Sequence, residues 1–158
     1  MKRLAITTLL TILASLAFAQ TAQVTSFSEL MEALKKGVTV KVIFDYEKCQ
    51  LISDNEVADK SVQAIGGMRL DTWEFFAAGA VKNKEAFIAF SETKTIYHPT
   101  RKVYVYNYVK VRVDEKNRVK ITAEYIDPKT WEVTMTENFF TEISDGKNGK
   151  GASFFIEK

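Results

Sequence analysis

The chain has 158 residues, with 22 Lys and Arg against 20 Asp and Glu, one histidine and one cysteine. Two of the basic residues lie in a leader that we expect to be removed, which leaves 20 of each sign (22 − 2 = 20) and a formally neutral mature chain. A neutral surface of mixed sign argues against nucleic-acid binding, which needs a basic face. One cysteine excludes an intramolecular disulfide, and one histidine excludes metal sites that need two or three histidines from one chain.

The leader has the pattern of a secretory signal peptide. The basic start Lys2-Arg3 precedes an apolar run from Leu4 to Leu16, and Ala17-Phe18-Ala19 is a small-x-small cleavage signature. The run is shorter than the about 20 apolar residues of a spanning helix, which favours cleavage over a membrane anchor. We therefore expect an exported protein, periplasmic or secreted, with a signal peptide at 1–19, a single domain at 20–158 and no membrane span after cleavage.

A short helix is predicted near the start of the domain. Ser26 and Glu29 stand at capping-box spacing, and Gly37 suits the position after a helix end. Between these signals lies an apolar stripe with helical spacing, made of Phe27, Leu30, Met31 and Leu34. The stripe predicts one N-terminal helix that packs on the domain's own sheet.

The rest of the chain predicts about seven or eight strands. These strands are expected at 38–46, 68–76, 85–91, 93–98, 103–113, 118–126, 131–142 and 152–157. Polar residues 50–60 predict a loop, Asp127-Pro128-Lys129-Thr130 predicts a turn, and Gly66-Gly67 suits a bulge, a sharp bend or a close backbone approach. Short connections favour antiparallel neighbours, and a sheet of this size curls into a barrel or folds into two layers. The predicted class is mainly β (α+β), an antiparallel meander with one helix packed on it.

The hairpin from Val103 to Ile126 has the clearest alternation. One face is predicted to be core: Val103, Val105, Val109, Val111 and Val113 on the first arm, with Val119, Ile121, Ala123 and Tyr125 on the second. The other face of the first arm carries Tyr104, Tyr106, Tyr108, Lys110 and Arg112. The same period-two argument places Trp131, Val133, Met135 and Phe139 inward in the strand at 131–142.

Few residues offer catalytic chemistry. Asp45 and Lys48 stand beside Cys49, and a nearby lysine can lower the pKa of a thiol, although such a run is more often the solvated end of a strand. Cys49 with His98 is the one nucleophilic pair that the composition permits, against the plainer interpretation of a buried thiol and a surface imidazole.

The tyrosine stripe is the main candidate for binding. Such stripes stack on sugars or bases, although they also form ordinary packing layers between strands. The full set of candidate binding residues is Asp45, Lys48, Cys49, Arg69, Tyr104, Tyr106, Tyr108 and Arg112.

Part of the hairpin resembles the VirK family. Lys110-Val111-Arg112-Val113, a four-residue turn and Arg118-Val119 are similar to the family's "Arg-Tyr-Arg-Val, turn, x-Val" segment, with Lys116-Asn117 where the family often has Asp-Gly. Other segments agree in the same order: the Phe27–Leu34 helix, the strand ending Asp45-Tyr46-Glu47-Lys48-Cys49, Gly66-Gly67, Phe87–Thr95 and Asp127-Pro128-Lys129-Thr130. The resemblance covers nearly the whole mature chain. It implies a small exported bacterial protein with a virulence-associated name and no established molecular activity. Some relatives carry further cysteines, so a disulfide role for Cys49 does not carry over.

These features favour a non-catalytic exported binding or interaction protein of the VirK type. Its partner would be a small apolar ligand, a glycan or another protein, in a virulence or host-interaction role, and no cofactor or metal is expected. The alternatives are an envelope or extracellular hydrolase that uses carboxylates, Tyr or Cys49, and a structural component that assembles through sheet edges.

The leader pattern predicts cleavage between Ala19 and Gln20. Mass spectrometry of exported protein should show a chain that lacks the first nineteen residues and begins at Gln20. Recovery of the intact precursor in the membrane fraction would contradict this prediction.

Overall fold

The computed structural model describes residues 21–53, 56–98 and 100–157, so the predicted signal peptide lies outside the described residues. Within these ranges the chain forms one helix and eleven strands, with a 3-10 turn at Tyr46–Lys48. In chain order they are β1 (Ala22–Val24), α1 (Phe27–Lys35), β2 (Val40–Asp45), β3 (Gln50–Ser53), β4 (Glu56–Val57), β5 (Ile65–Arg69), β6 (Glu74–Phe76), β7 (Phe87–His98), β8 (Val103–Asp114), β9 (Arg118–Ile126), β10 (Val133–Glu142) and β11 (Ala152–Ile156).

The strands form two antiparallel sheets. The small sheet has the order β1-β11-β2-β5, and the large sheet has the order β4-β3-β10-β9-β8-β7-β6. Strands β6 to β10 are neighbours in chain order, which is the predicted meander. Neither sheet closes on itself. The predicted class, mainly β (α+β), is confirmed, and of the two predicted arrangements the chain adopts two layers rather than a barrel.

One core joins both sheets and the helix. Phe44 and Phe154 of the small sheet, Ile88 and Ile121 of the large sheet, and Leu30 of α1 are fully buried in it. Across the sheets, Phe90 meets Phe154 edge-on, with 6.4 Å between ring centroids. Aromatic rings prefer this tilted arrangement, so the two layers interlock through directional contacts as well as area burial.

The predicted helix is confirmed together with its ends. The Ser26 hydroxyl accepts a hydrogen bond from the Glu29 backbone N–H at 3.3 Å, which satisfies a free donor of the first turn. The Glu29 carboxylate accepts from the Thr25 N–H rather than from Ser26, a displaced version of the capping box. Gly37 has φ +70°, a left-handed conformation that ends the helix at no steric cost.

The hairpin faces are confirmed, with one exception. Val105, Val111, Val113, Val119 and Ile121 are buried, while Val109, Ala123 and Tyr125 are half-buried. Val103 is 46 % exposed. It lies at the end of β8 beyond the reach of the core, so alternation alone misjudged its burial.

Four segments differ from prediction, and the described residues form eleven strands where about seven or eight were expected. The strand predicted at 68–76 is two strands, β5 and β6, which lie in different sheets. The predicted loop at 50–60 contains β3 and β4, where Leu51 is the only buried residue, so no apolar alternation marked it. The strands predicted at 85–91 and 93–98 are one twelve-residue strand, β7, whose middle is polar on both faces. Gly66 and Gly67 lie inside β5, where a Cβ on Gly66 would stand 3.1 Å from the Tyr46 ring and one on Gly67 would stand 3.0 Å from the Val42 carbonyl oxygen. Close backbone approach, rather than a bend, explains this pair.

The inward placement of Trp131 and Val133 is wrong. The β9–β10 register jumps between Val133 and Met135, a bulge at Thr134. An extra residue inverts the alternation, so Phe139 is buried as predicted while Val133 and Trp131 turn outward and are 51 % and 69 % exposed.

The hairpin core predicts a sharp contrast between neighbouring positions. Ile121→Asp would bury an unpaired charge, at a cost of several kcal/mol, and should prevent stable folding. Lys110→Ala, on the opposite face of β8, should lower the free energy of unfolding by less than about 1 kcal/mol. Denaturant unfolding followed by circular dichroism checks both variants. Equal tolerance of the two changes would show that the faces are reversed.

Candidate functional site

The outer face of the large sheet, which points away from the small sheet, carries most of the candidate residues. On β8 this face presents Tyr104, Tyr106, Tyr108, Lys110 and Arg112, since the alternate valines point into the core. From Tyr104 to Arg112 it extends about 26 Å at about 3.3 Å per residue. The face is therefore long enough to hold two separate features, an aromatic cluster at one end and a basic depression at the other.

The aromatic cluster, here named the aromatic platform, consists of Tyr97, Tyr104, Tyr106 and Trp131. Tyr97 and Tyr104 are directly opposed across β7 and β8, with ring centroids 5.3 Å apart at 67°. Trp131 packs on Tyr106 with centroids 5.7 Å apart and ring planes inclined by 35°. Although these rings touch each other, Trp131 and Tyr104 remain 69 % and 64 % exposed, so the platform presents aromatic surface to solvent.

A tightly bonded turn displays the Trp131 ring. The Asp127 carboxylate accepts from the backbone N–H of Lys129 at 2.8 Å and of Thr130 at 3.0 Å, and these bonds hold the pKa of Asp127 below its usual range. The Trp131 N–H donates to the Asp127 carbonyl at 2.9 Å. Trp131 itself has φ +62°, a left-handed conformation that bulky residues rarely adopt. The predicted Asp-Pro turn is thus confirmed, and its unusual residue is Trp131.

Polar groups border the platform. Thr95 stands opposite Tyr106, and Tyr108 stands between Thr93 on β7 and Glu124 on β9. Tyr108 also lines a shallow hollow with Trp73, Ser91 and Lys110. Hydroxyl and carboxylate groups therefore alternate with rings along the outer face.

The basic depression lies where β3, β10, β9 and β8 run side by side. It has a volume of about 590 Å³ and its walls include Arg112, Arg118, Lys120, Lys48 and Lys150. The Phe140 ring and the Gln50 side chain also line it. Two sequence candidates, Arg112 and Lys48, are brought together here.

Most charges of the basic depression are already paired. Arg118 contacts Asp114 at 2.7 Å and also pairs with Glu85, Lys150 contacts Glu142 at 3.1 Å, and Lys48 contacts Asp45 at 2.7 Å. Arg112 and Lys120 differ, since neither forms an ion pair with a carboxylate of the described residues. Instead, the Arg112 guanidinium lies 3.8 Å from the centroid of the Phe87 ring and Lys120 Nζ lies 5.6 Å from that of Phe140.

Cys49 is buried at the start of β3, 6 % exposed, as the plainer interpretation expected. Its thiol donates to the Asp45 carbonyl at 3.3 Å and packs on Gly151, where an added Cβ would stand 2.7 Å from Sγ. Burial raises the pKa of the Cys49 thiol to about 11 despite a hydrogen bond from Thr141 that lowers it. Lys48 pairs with Asp45 rather than activating the thiol, so the shift is opposite to that of a reactive cysteine.

Cys49 and His98 do not form a pair. Gln50 is the residue next to Cys49. The pairing of β3 with β10, β10 with β9, β9 with β8 and β8 with β7 places Gln50 in line with Ala89 on β7. His98 lies nine residues farther along β7, about 30 Å at about 3.3 Å per residue. The His98 imidazole instead accepts from the Arg101 N–H at 3.2 Å and packs against Tyr125.

Arg69 lies apart from the other candidates. It belongs to β5 of the small sheet, where it pairs with Asp71 at 3.5 Å and Glu157 at 3.9 Å. Among the described residues, no group of three or more His, Cys, Asp or Glu has the arrangement of a metal site.

Sequence reasoning missed Trp131, Lys120 and Phe140 as surface residues of interest. Trp131 was hidden by the bulge. The opposition of Lys120 and Arg112 follows from the register of the hairpin, in which Val113 pairs with Val119. The predicted four-residue turn would have paired Val113 with Arg118, a register shifted by one residue that does not place Lys120 opposite Arg112. Phe140 carried no local signal, because its place beside Lys120 depends on the pairing of β10 with β9.

The buried thiol predicts slow chemistry and a defined pH dependence. At neutral pH a thiol reagent should label the native protein far more slowly than the unfolded chain.

In the unfolded chain the Cys49 thiol ionises near its ordinary pKa, whereas in the folded chain it stays protonated up to about pH 11. The stability advantage of wild type over Cys49→Ala should therefore be full below about pH 8.5 and decline as the pH rises to about 11. Chemical denaturation across this range measures it, and rapid labelling at pH 7 would contradict the assignment.

Comparison with known proteins agrees with this fold. The family model described as VirK protein matches residues 23–131. A VirK family protein from Legionella pneumophila, known from a crystal structure, is similar with a TM-score of 0.63 and 15 % identity, over 84 % of this chain and 98 % of that chain. At this identity the likeness shows the fold alone. No curated protein matches the chain. No helix of the described ranges has the length and apolar character needed to cross a membrane. Since the family match spans more than half of the 158 residues, the chain belongs to the VirK family.

Proposed function

We propose that this protein is an exported, non-catalytic binding protein that recognises a saccharide through the aromatic platform. Export is supported by the leader pattern of the sequence, and a role at the host or in virulence is in keeping with the family name. The proposal selects the glycan from the partners that the sequence left open.

The observation that carries the proposal is the display of Trp131. A left-handed conformation costs a residue with a side chain about 1–2 kcal/mol, and a bulky ring is usually placed there only when it gains burial elsewhere. Trp131 gains little, because 69 % of it stays exposed and its main contact is the neighbouring Tyr106 ring. The turn therefore holds an exposed ring in a position where it can contact a ligand.

The surroundings of the platform favour a saccharide over a lipid or an apolar ligand. A sugar ring has apolar faces and a polar rim, and aromatic side chains with polar tips complement both. Next to Tyr106 and Tyr108 stand Thr93, Thr95 and Glu124, which can exchange hydrogen bonds with sugar hydroxyls. An apolar ligand would leave these groups unpaired.

The interior of the domain offers less support for an apolar carrier. The space between the sheets is filled by core side chains such as Phe44, Phe154 and Ile121. A cleft of about 190 Å³ opens beside Tyr46 and Met68, and a wider one of about 570 Å³ adjoins it along Met68 and Gly67. Glu92 and Lys94 line both clefts, and such charged walls do not favour an apolar ligand.

Hydrolysis also receives little support. The carboxylates around the basic depression, Glu85, Asp114 and Glu142, each contact a cationic side chain. Carboxylates in such ion pairs already direct their oxygens at a cationic side chain, whereas a general acid or base must direct one at the substrate.

Binding should depend on the Trp131 ring and not on the turn that presents it. Trp131→Ala and Trp131→Gly should both abolish binding of an oligosaccharide identified on a glycan array. Trp131→Gly should also be more stable than Trp131→Ala by about 1 kcal/mol, since glycine adopts positive φ freely. Calorimetric titration and thermal unfolding measure the two effects separately.

Trp73 supplies the matched control. The chain has two tryptophans, and Trp73 is half-buried in the hollow beside Tyr108, outside the four residues of the platform. Trp73→Phe should retain binding and report ligand through the fluorescence of Trp131 alone. A protein that binds no saccharide on the array, or binds equally well after Trp131→Ala, would refute the proposed function. Turnover of a bound oligosaccharide would refute its non-catalytic part.

A further inference from the structure

Two like charges face each other at the centre of the basic depression. The β8–β9 register places Arg112 directly opposite Lys120, and both side chains are exposed on the outer face. Directly opposed like charges destabilise a pair of strands. Neither charge is neutralised by a carboxylate of the described residues, although Glu85, Asp114 and Glu142 lie in the same depression.

The carboxylates of the basic depression already form ion pairs with other cationic side chains. Asp114 accepts from the Arg118 side chain at 2.8 Å, Glu85 pairs with Arg118 and Lys116, and Glu142 contacts Lys150 at 3.1 Å. These pairs fix the flanking charges in place. The opposed pair is thus the part of the depression where positive charge stays uncompensated.

Aromatic contacts orient the two cations without neutralising them. The Arg112 guanidinium lies over the buried Phe87 ring, which is itself stacked on Phe76 with 4.9 Å between centroids. Lys120 Nζ lies above the half-buried Phe140 ring. A guanidinium held on a ring face keeps its N–H edge available for planar recognition of an oxyanion.

We propose that Arg112 and Lys120 form a binding site for an oxyanion, that is, a phosphate, sulfate or carboxylate group. A bound anion would bridge the two cations and replace their repulsion with two charge-assisted hydrogen bonds. The volume of about 590 Å³ admits a group larger than a bare ion, and the Gln50 amide in the wall can hydrogen-bond the rest of it.

The site is independent of the aromatic platform. It rests on the charge register of β8 and β9, and Arg112 lies about 20 Å along β8 from Tyr106 at about 3.3 Å per residue. Variants at one feature therefore leave the other intact, and failure of one proposal does not decide the other.

Thermal unfolding with anions tests the site. Wild-type protein should be stabilised in a saturable way by inorganic phosphate or by oligogalacturonate, compared with chloride at equal ionic strength. Arg112→Gln and Lys120→Gln should each weaken this response about tenfold or more. Without an anion, Lys120→Gln should unfold at a temperature equal to or above that of wild type, because it removes repulsion.

Lys110→Gln is the matched control, since Lys110 lies on the same face of β8 opposite the neutral Ser91 and Thr122. It should respond to anions as wild type does, and so should Trp131→Ala. A stronger response to phosphate identifies a free or ester phosphate as the preferred group, and a stronger response to oligogalacturonate identifies a polymer-bound carboxylate. No saturable response in wild type, or an equal loss in Lys110→Gln, would overturn the proposal.

Discussion

The turn between β8 and β9, built on one buried carboxylate, connects the helix, the central hairpin and the end of the large sheet. Asp114 accepts hydrogen bonds from the backbone N–H groups of Lys116 and Arg118 and from the Arg118 side chain. The left-handed Asn117 in this turn accepts from the Phe27 N–H at the start of α1, and its carbonyl accepts from the Ile143 N–H after β10. These three parts of the structure therefore meet at one turn, and the register of Arg112 against Lys120 is fixed by the same turn.

The difference in strand length between the sheets determines which surfaces stay open. Strands of the small sheet have three to six residues, whereas β7 and β8 have twelve. The shared core is concentrated near the Asp114 turn, where Val111, Val113 and Ile88 are fully buried. Toward the other end of β8, Val105 is still buried but lies outside this core, and Val103 and Tyr104 are exposed. The small sheet covers only part of one face of the large sheet. The large sheet can therefore present a long outer face and still keep a buried core.

Prediction succeeded where a signal was local and failed where it depended on pairing. Ser26 and Gly37 fixed the helix because caps act within one turn, and the valines of β8 fixed the core face because strand alternation has a period of two. Trp131 was misplaced because a single extra residue at Thr134 inverts that period. For the same reason, only part of the candidate site could be predicted from the sequence. The tyrosines and Arg112 share one strand, whereas Phe87, Phe140 and Lys120 reach them from other strands.

Both proposed sites lie where local folding rules are broken. Trp131 has a left-handed backbone that suits glycine, and Arg112 faces Lys120 where opposite charges would stabilise the strands. The core follows these rules more closely: Phe90 packs edge-on against Phe154, and the lone Cys49 thiol is protonated and buried. Exceptions to local folding preferences are expected at functional positions. Both exceptions, one aromatic and one cationic, lie on the same outer face. We therefore infer that this face is where the protein binds its ligands.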